Sequence, residues 1–224
     1  MEPKSFSVKS KRRYNSSGRR QQAARTREAI LDTARRLFLT GGYANTTIAA
    51  VAEAAGVSVE TIYKAFRGKP GLVRAIWHKG LEGSGPTPAE QRSDEMQTLD
   101  TDPHRVLTNW GSLVVEVAPQ AAPILILVRN AAATDSEMAS LLEEVDRARL
   151  QRMEHNARTL HERGDLRRDI TLEQAIDLLW TYSSPELYEL LVVRREWPIE
   201  RYGQFVAEGM IAALLPPAAP PRSR

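Results

Sequence analysis

The sequence predicts an all-α protein with a helix-turn-helix unit near its N-terminus. Three observations predict it. Apolar residues recur at the i, i+3, i+4, i+7 spacing that lines one face of a helix, on both sides of a break near residue 83. Thr46 to Phe66 reads as two short helices joined at Gly56, the form of a DNA reader. Helix stops and starts, chiefly Gly41-Gly42, Gly164, Pro185 and Pro198, divide the rest at helical lengths.

Residues 1–24 read as a disordered basic arm. Lys4, Lys9, Lys11, Arg12, Arg13, Arg19, Arg20, Arg25 and Arg27 follow one another with no acid between them, among serines and few large apolar residues. Beside a major-groove reader such an arm tracks phosphates or lies in the minor groove, and its contribution falls steeply with salt. A solubilising tail, vector-derived residues and a targeting peptide are the alternatives. The last is disfavoured because no apolar segment follows the charges.

Arg27 to Phe38 is an amphipathic helix with Ile30, Leu31, Ala34, Leu37 and Phe38 on one face, stopped by Gly41-Gly42. In the next helix Ile48, Val51, Ala52 and Ala55 share a face, and Thr46 or Thr47 supplies the capping hydroxyl. Gly56, without a Cβ, takes the left-handed turn, and Ser58 caps a second helix. The inner face of that helix carries Ile62 and Phe66. Its outer face, Val59, Glu60, Thr61, Tyr63 and Lys64, is small and polar, which suits entry into the major groove. An ordinary antiparallel helix pair is the competing reading of these residues alone. Lys69-Pro70 opens a further helix.

The run from about Arg25 to Glu82 resembles the N-terminal domain of the TetR family of transcriptional regulators. Thr46, Thr47, Ala52, Ala55, Gly56, Val57, Ser58, Thr61, Tyr63, Phe66 and Lys69 stand at the family's spacing. The resemblance makes residues 25–82 the DNA-binding domain and double-stranded operator DNA the partner. It implies that the helix capped by Ser58 is the recognition helix, with Ser58 among the DNA-binding residues and Val59, Glu60, Thr61 and Lys64 at or near bases. Thr47, Tyr63 and Lys69 then resemble phosphate contacts, which fix register without reading sequence. Ala49 and Ala65 depart from the polar or aromatic residues of many members. Glu60 either accepts from cytosine N4 or is a solvated carboxylate favoured by the helix dipole.

Residues 83–102, opening Gly83-Ser84-Gly85-Pro86-Thr87-Pro88, read as a linker. Residues 103–215 read as a second, helical domain. Val106, Leu107, Trp110, Leu113, Val114 and Val117 make one stripe, and Ile124 to Val128 reads as a separate short helix, apolar all round. A long helix from Ser136 to Arg163 turns Met138, Leu141, Leu142, Val145, Met153 and Leu160 inward. Helices from Thr171, Pro185 and Pro198 carry more apolar surface than a domain this small covers, which implies a partner. The resemblance implies a homodimer through 171–215, whose dyad presents two recognition helices to a palindrome. Residues 216–224 read as a disordered tail.

The resemblance also implies that this second domain binds a small-molecule effector, here unknown. Trp77, Trp110, Trp180 and Tyr182 are the candidate lining residues, with Arg129, which interrupts an apolar helix. Against this, aromatic residues at helical spacing are often core, and Arg129 either emerges to solvent or pairs with an internal acid.

Composition narrows the function classes. The 224 residues carry a net charge of +3, with the basic excess at the N-terminus. The absence of Cys excludes disulfides, cysteine metal sites and thiol catalysis. The histidines are His78, His104, His155 and His161, the last two on different faces of one helix, and no phosphate loop, nucleophile elbow or metal triad occurs. The expectation is a protein without enzymatic activity, cofactor or metal. No apolar run approaches the about 18 to 20 residues that cross a bilayer, so a cytoplasmic protein without membrane contact is expected. A helical adaptor or non-specific DNA binder is the competing class, separable by whether selectivity depends on Thr61 and Lys64.

Overall fold

In a computed structural model, residues 16–85 and 87–217 are described, and every regular element among them is a helix. The expectations for residues 1–15 of the arm and 218–224 of the tail lie outside the described residues. Helix α1 (Ser16–Asn45) leaves helical geometry at Gly42, where φ is 77°. Residues 16–24, expected to be disordered, are the outer turns of α1. Gln21, Gln22, Ala23, Ala24 and the neighbouring arginines are strong helix formers that extend a helix already nucleated by its packed half.

Helices α2 (Ile48–Ala55), α3 (Val59–Phe66) and α4 (Lys69–Glu82) complete the head. The two threonines before α2 divide the work. Thr47 caps the helix by accepting from the Ala50 amide at 3.1 Å, whereas Thr46 is buried and donates back to the Gly42 carbonyl at 2.8 Å. Gly56 (φ 66°) turns the chain, and Ser58 caps α3 by accepting from the Thr61 amide at 3.1 Å.

The segment expected to be a linker holds helix α5 (Ala89–Leu99). Its buried face is Ala89, Ser93 and Gln97, at i, i+4 and i+8, so no apolar periodicity announces it. Polar bonds seat it: Arg152 donates to Ser93 and to Asp94, and Gln97 Nε2 donates to Asn156 Oδ1 at 3.2 Å.

Helix α6 (Pro103–Ala132) unites the two pieces expected to be separate. Prolines 119 and 123 lie inside it, and neither ends it. Pro123 has no N–H to give to the carbonyl of residue 119 one turn back. Arg35 Nη2, from α1, donates to that oxygen at 2.9 Å. The helix is also long and apolar enough, by length and composition, to cross a membrane, with mean hydropathy 1.7 over its most apolar window. A search for uninterrupted apolar runs passes over it because Glu116 and the prolines intervene. Here it is the central helix, packed by α1, α4, α7 (Ser136–Glu162) and α10 (Ile199–Leu214).

Helix α8 (Leu172–Tyr182), α9 (Pro185–Tyr188) with a π-helical continuation at Glu189–Arg194, and α10 close the second domain. Helices α6 and α10 meet at a glycine pair: a Cβ on Gly111 would stand 2.7 Å from both the Gly203 carbonyl oxygen and the Ala207 Cβ. The buried apolar residues form two clusters. One runs from the head through Leu72, Val73, Ile76 and Trp77 of α4 into Ala121, Ile124, Leu125 and Val128 of α6. The other joins α6 to α8 and α10 through Trp110, Leu179, Tyr202 and Met210.

Candidate nucleic-acid interface and interior cavity

Helix α3 rests on Ile62 and Phe66, both buried, and its other face is open. Val59 is 41% and Tyr63 52% exposed, and Glu60, Thr61 and Lys64 are exposed beside them. The eight-residue helix therefore offers one continuous outward face, anchored by its inner pair. Ser58 and Thr61 share a 2.8 Å hydroxyl–hydroxyl bond, so the first turn is set before anything approaches it. Thr47 lies exposed at the start of α2 and its hydroxyl is engaged in the cap.

Lys69 is placed differently from an outstretched phosphate contact. Its Nζ donates to the Tyr43 carbonyl at 2.7 Å and lies 4.1 Å from the centre of the Tyr43 ring, pinning α4 to the end of α1. Arg67 at the end of α3 is exposed and adopts φ 62°, a left-handed conformation uncommon outside glycine and asparagine. Arg27 lies over the Phe66 ring at 4.5 Å, so the basic side of α1 covers the back of α3.

Beneath the head is a cavity of about 660 Å³, bounded by α4 to α10. Its wall is mainly apolar, with Trp77, Trp110, Leu113, Val114, Val117, Leu125 and Met210, and carries Tyr182, Tyr188 and Tyr202. Burial pushes the Tyr202 and Tyr188 phenols above their ordinary range. Of the residues expected around an effector, Trp77, Trp110 and Tyr182 line this space. Arg129 does not. It pairs with Glu186 at 2.6 Å and Glu189 at 2.7 Å, joining α6 to α9. Trp180 lies behind the wall, where the Arg149 guanidinium stacks on its ring at 3.4 Å. Elsewhere, between α5 and α6, Arg92 binds Glu116 through both oxygens and holds its carboxyl down to about 2, helped by the amides of Ser84 and Gly85.

Sequence reasoning missed Arg149, whose signal was its place one turn after Val145 on the inward stripe of α7. It also missed Arg35, whose partner is an oxygen exposed by a proline. Besides the shared core, polar contacts tie head to body, among them Arg35 to Pro119, a bidentate Arg74–Glu144 pair between α4 and α7 at 2.8–3.2 Å, and a side-chain bond between Tyr43 and Asp135. Trp77 of α4 thus belongs to the head's core while facing the cavity.

Residues 30–76 match the family described as bacterial regulatory proteins, tetR family. Over 58 residues the chain is 43% identical to the HTH-type transcriptional regulator AcrR of Shigella flexneri, a match covering 26% of this chain and 27% of that protein. It is 25% identical over 139 residues to YvkB, an uncharacterized HTH-type transcriptional regulator of Bacillus subtilis (strain 168), covering 62% of this chain and 69% of that one. The chain thus spans about a quarter of the first relative's length and about two thirds of the second's. Among solved structures, NalD, the secondary repressor of the MexAB-OprM multidrug efflux pump in Pseudomonas aeruginosa, superposes with a TM-score of 0.67 at 22% identity over 88% of this chain and 99% of that chain. The SmeT–triclosan complex superposes with a TM-score of 0.67, also at 22% identity, over 88% of this chain and 96% of that chain. At such identity the structural likeness is one of fold.

Proposed function

We propose, from the premise that this chain belongs to the TetR family of regulators, that it is a dimeric, sequence-specific DNA-binding transcriptional regulator whose operator affinity is set by a small molecule in the interior cavity. The observation that carries this reading is α3, a capped helix with two buried anchors and an exposed face of Val59, Glu60, Thr61, Tyr63 and Lys64. Such a face enters a major groove, with Thr47 and Tyr63 beside the phosphates. Lys69 joins them only by leaving Tyr43.

Two dyad-related heads read a palindrome. The second copy packs on α8 and α10, where Phe205 is 37% exposed and forms edge contacts with Tyr182 and Trp197. A ligand entering the cavity touches Trp77, and α4 passes the change to α3. Only a ligand that prefers one spacing of the heads shifts DNA affinity. The sign we propose is repression relieved by ligand, in a cytoplasmic protein without catalytic activity, as NalD's description as a repressor suggests by analogy.

Selection of bound duplexes from a random pool at near-physiological salt tests the reading. Enrichment of one palindrome is the expected result. Binding without enrichment, lost as salt rises, would replace it with the non-specific alternative.

A further inference from the structure

The cavity wall carries one largely buried cation, Arg149, whose only ion pair among the described residues is a long one to a half-exposed acid. Arg149 projects from α7 with its side chain 13% exposed. Its Nη1 donates to neutral acceptors, the Trp180 carbonyl at 2.9 Å and Ser183 Oγ at 3.1 Å. Among the described residues the one acid within 4 Å is Asp146, at 3.6 Å from Nη2 and half-exposed. Burial lowers the Arg149 guanidinium pKa, whereas Arg74, Arg92 and Arg129, each bonded to carboxylates, are raised. The other arginine on the wall, Arg152, is neutralised by Asp94 at 2.6 Å and Glu90 at 3.4 Å.

The hydrogen-bonding bias of the wall agrees with this charge. Three of the residues that line the cavity, Trp77, Trp110 and Arg149, each hold a side-chain N–H without a partner (Nε1, Nε1 and Nε), enclosed within the protein beside it, and none of the lining residues holds a buried acceptor in that state. A buried charge held mainly by neutral dipoles, with Asp146 half-exposed and 3.6 Å away, is costly, and an entering anion adds a closer counter-charge without first breaking a tight bidentate pair. Around it the wall is apolar, which fits a ligand whose remaining surface is hydrocarbon.

We propose that the cavity's ligand is an apolar organic acid whose anionic group pairs with Arg149 while its body lies against Trp110, Leu113, Val114 and Val117. The proposal rests on the effector-cavity reading above and specifies its chemistry.

Two probes that differ by one charge test it on the full chain: anilinonaphthalene sulfonate and its neutral parent, N-phenylnaphthylamine, both read by fluorescence. Arg149→Met is expected to weaken the sulfonate by about 10- to 100-fold, the worth of a hydrogen bond to a charged group, and the neutral probe by less than about threefold. Arg149→Lys, which keeps the charge, is expected to restore most of the difference. Equal losses for both probes, or no loss for either, overturn the proposal. Should the Met variant unfold, displacement of the neutral probe from the unaltered protein decides: decanoate is expected to outcompete decanol at least about tenfold, and parity refutes the assignment.

Addition of each compound to the protein bound to its selected duplex separates this proposal from the wider one. Arg149-dependent anion binding that leaves DNA affinity unchanged removes the effector reading and keeps the anion site. Release of DNA by neutral compounds, undiminished in Arg149→Met, keeps the effector reading and removes the anion site.

Discussion

Replacing Arg35 with Met is expected to weaken the protein because of a proline 88 residues away in sequence. Pro123 leaves the Pro119 carbonyl without its helical donor, and Arg35 Nη2 fills the vacancy at 2.9 Å. The bond joins a charged donor to a part-buried carbonyl, so its loss costs about 1.5–3 kcal/mol, including the oxygen left unpaired. The spread is lowered at the top because Arg35 Nε is already buried without a partner, and Met removes that burden too. For a chain of this size the cost lowers the unfolding midpoint by about 3–10 °C.

The same accounting makes a sharper claim about a double-mutant cycle. Pro123→Ala gives residue 123 an N–H that bonds to the Pro119 carbonyl within the helix. In that background Arg35→Met should cost less than half as much, a coupling of about 1 kcal/mol or more. The assay is urea unfolding of the four proteins at one fixed protein concentration, because self-association of the kind proposed above would make stability depend on it. Equal costs of Arg35→Met in both backgrounds would show that Arg35 acts through packing or long-range charge, and the orphaned-carbonyl argument would be lost.

Other expectations follow from the same structure. Gly203→Ala puts a Cβ against Val115 Cγ2 and 2.7 Å from the Gly111 carbonyl oxygen, so α6 and α10 must separate; we expect a loss of about 1–3 kcal/mol in thermal or urea unfolding, despite alanine's better helix propensity. Ser58→Ala removes the α3 cap and should cost about 1 kcal/mol, measured by urea unfolding, and Ser58→Thr should recover most of it. Glu116 has a folded pKa depressed from 4.5 to about 2, so its stabilisation is complete above pH 4.5 and lost as pH falls toward 2. Glu116→Gln should therefore flatten the acid limb of a stability–pH curve in that window by up to about 3 kcal/mol; an unchanged limb refutes the pairing. Lys64→Ala should weaken binding to the selected duplex, by about 1–3 kcal/mol with relaxed preference at one base pair if it reads a base, or uniformly with a smaller salt slope if it meets a phosphate.

The head was the most legible part of the sequence, because its signals are local. Gly56 is required by a left-handed turn, and Ser58 and Thr47 are followed by the amides they cap. Periodicity gave α7 and α10 nearly to their ends for a similar reason. What escaped depends on partners distant in sequence. Helix α5 is seated by Ser93 and Gln97, polar residues that look like a linker until Arg152 and Asn156 arrive from α7. Helix α6 continues through two prolines because other elements pack and bond to it. Arg129 interrupts an apolar run, which leaves a ligand contact, emergence to solvent and an internal ion pair all open, and the acids that decide it stand 57 and 60 residues later.

The core shared by head and body limits how this protein's head can be recombined with other bodies. A cut after Glu82 follows the chain's first obvious break, yet it strips Val73, Ile76 and Trp77 of the α6 residues that cover them. A Cβ on Gly80 would lie 3.2 Å from the backbone of Gln120, so a foreign α6 must match α4 almost atom for atom. A transplanted head therefore needs the stretch of α6 from Pro119 to Val128 to travel with it. The unit of exchange is a packed helix pair, and it does not coincide with any contiguous segment of the sequence.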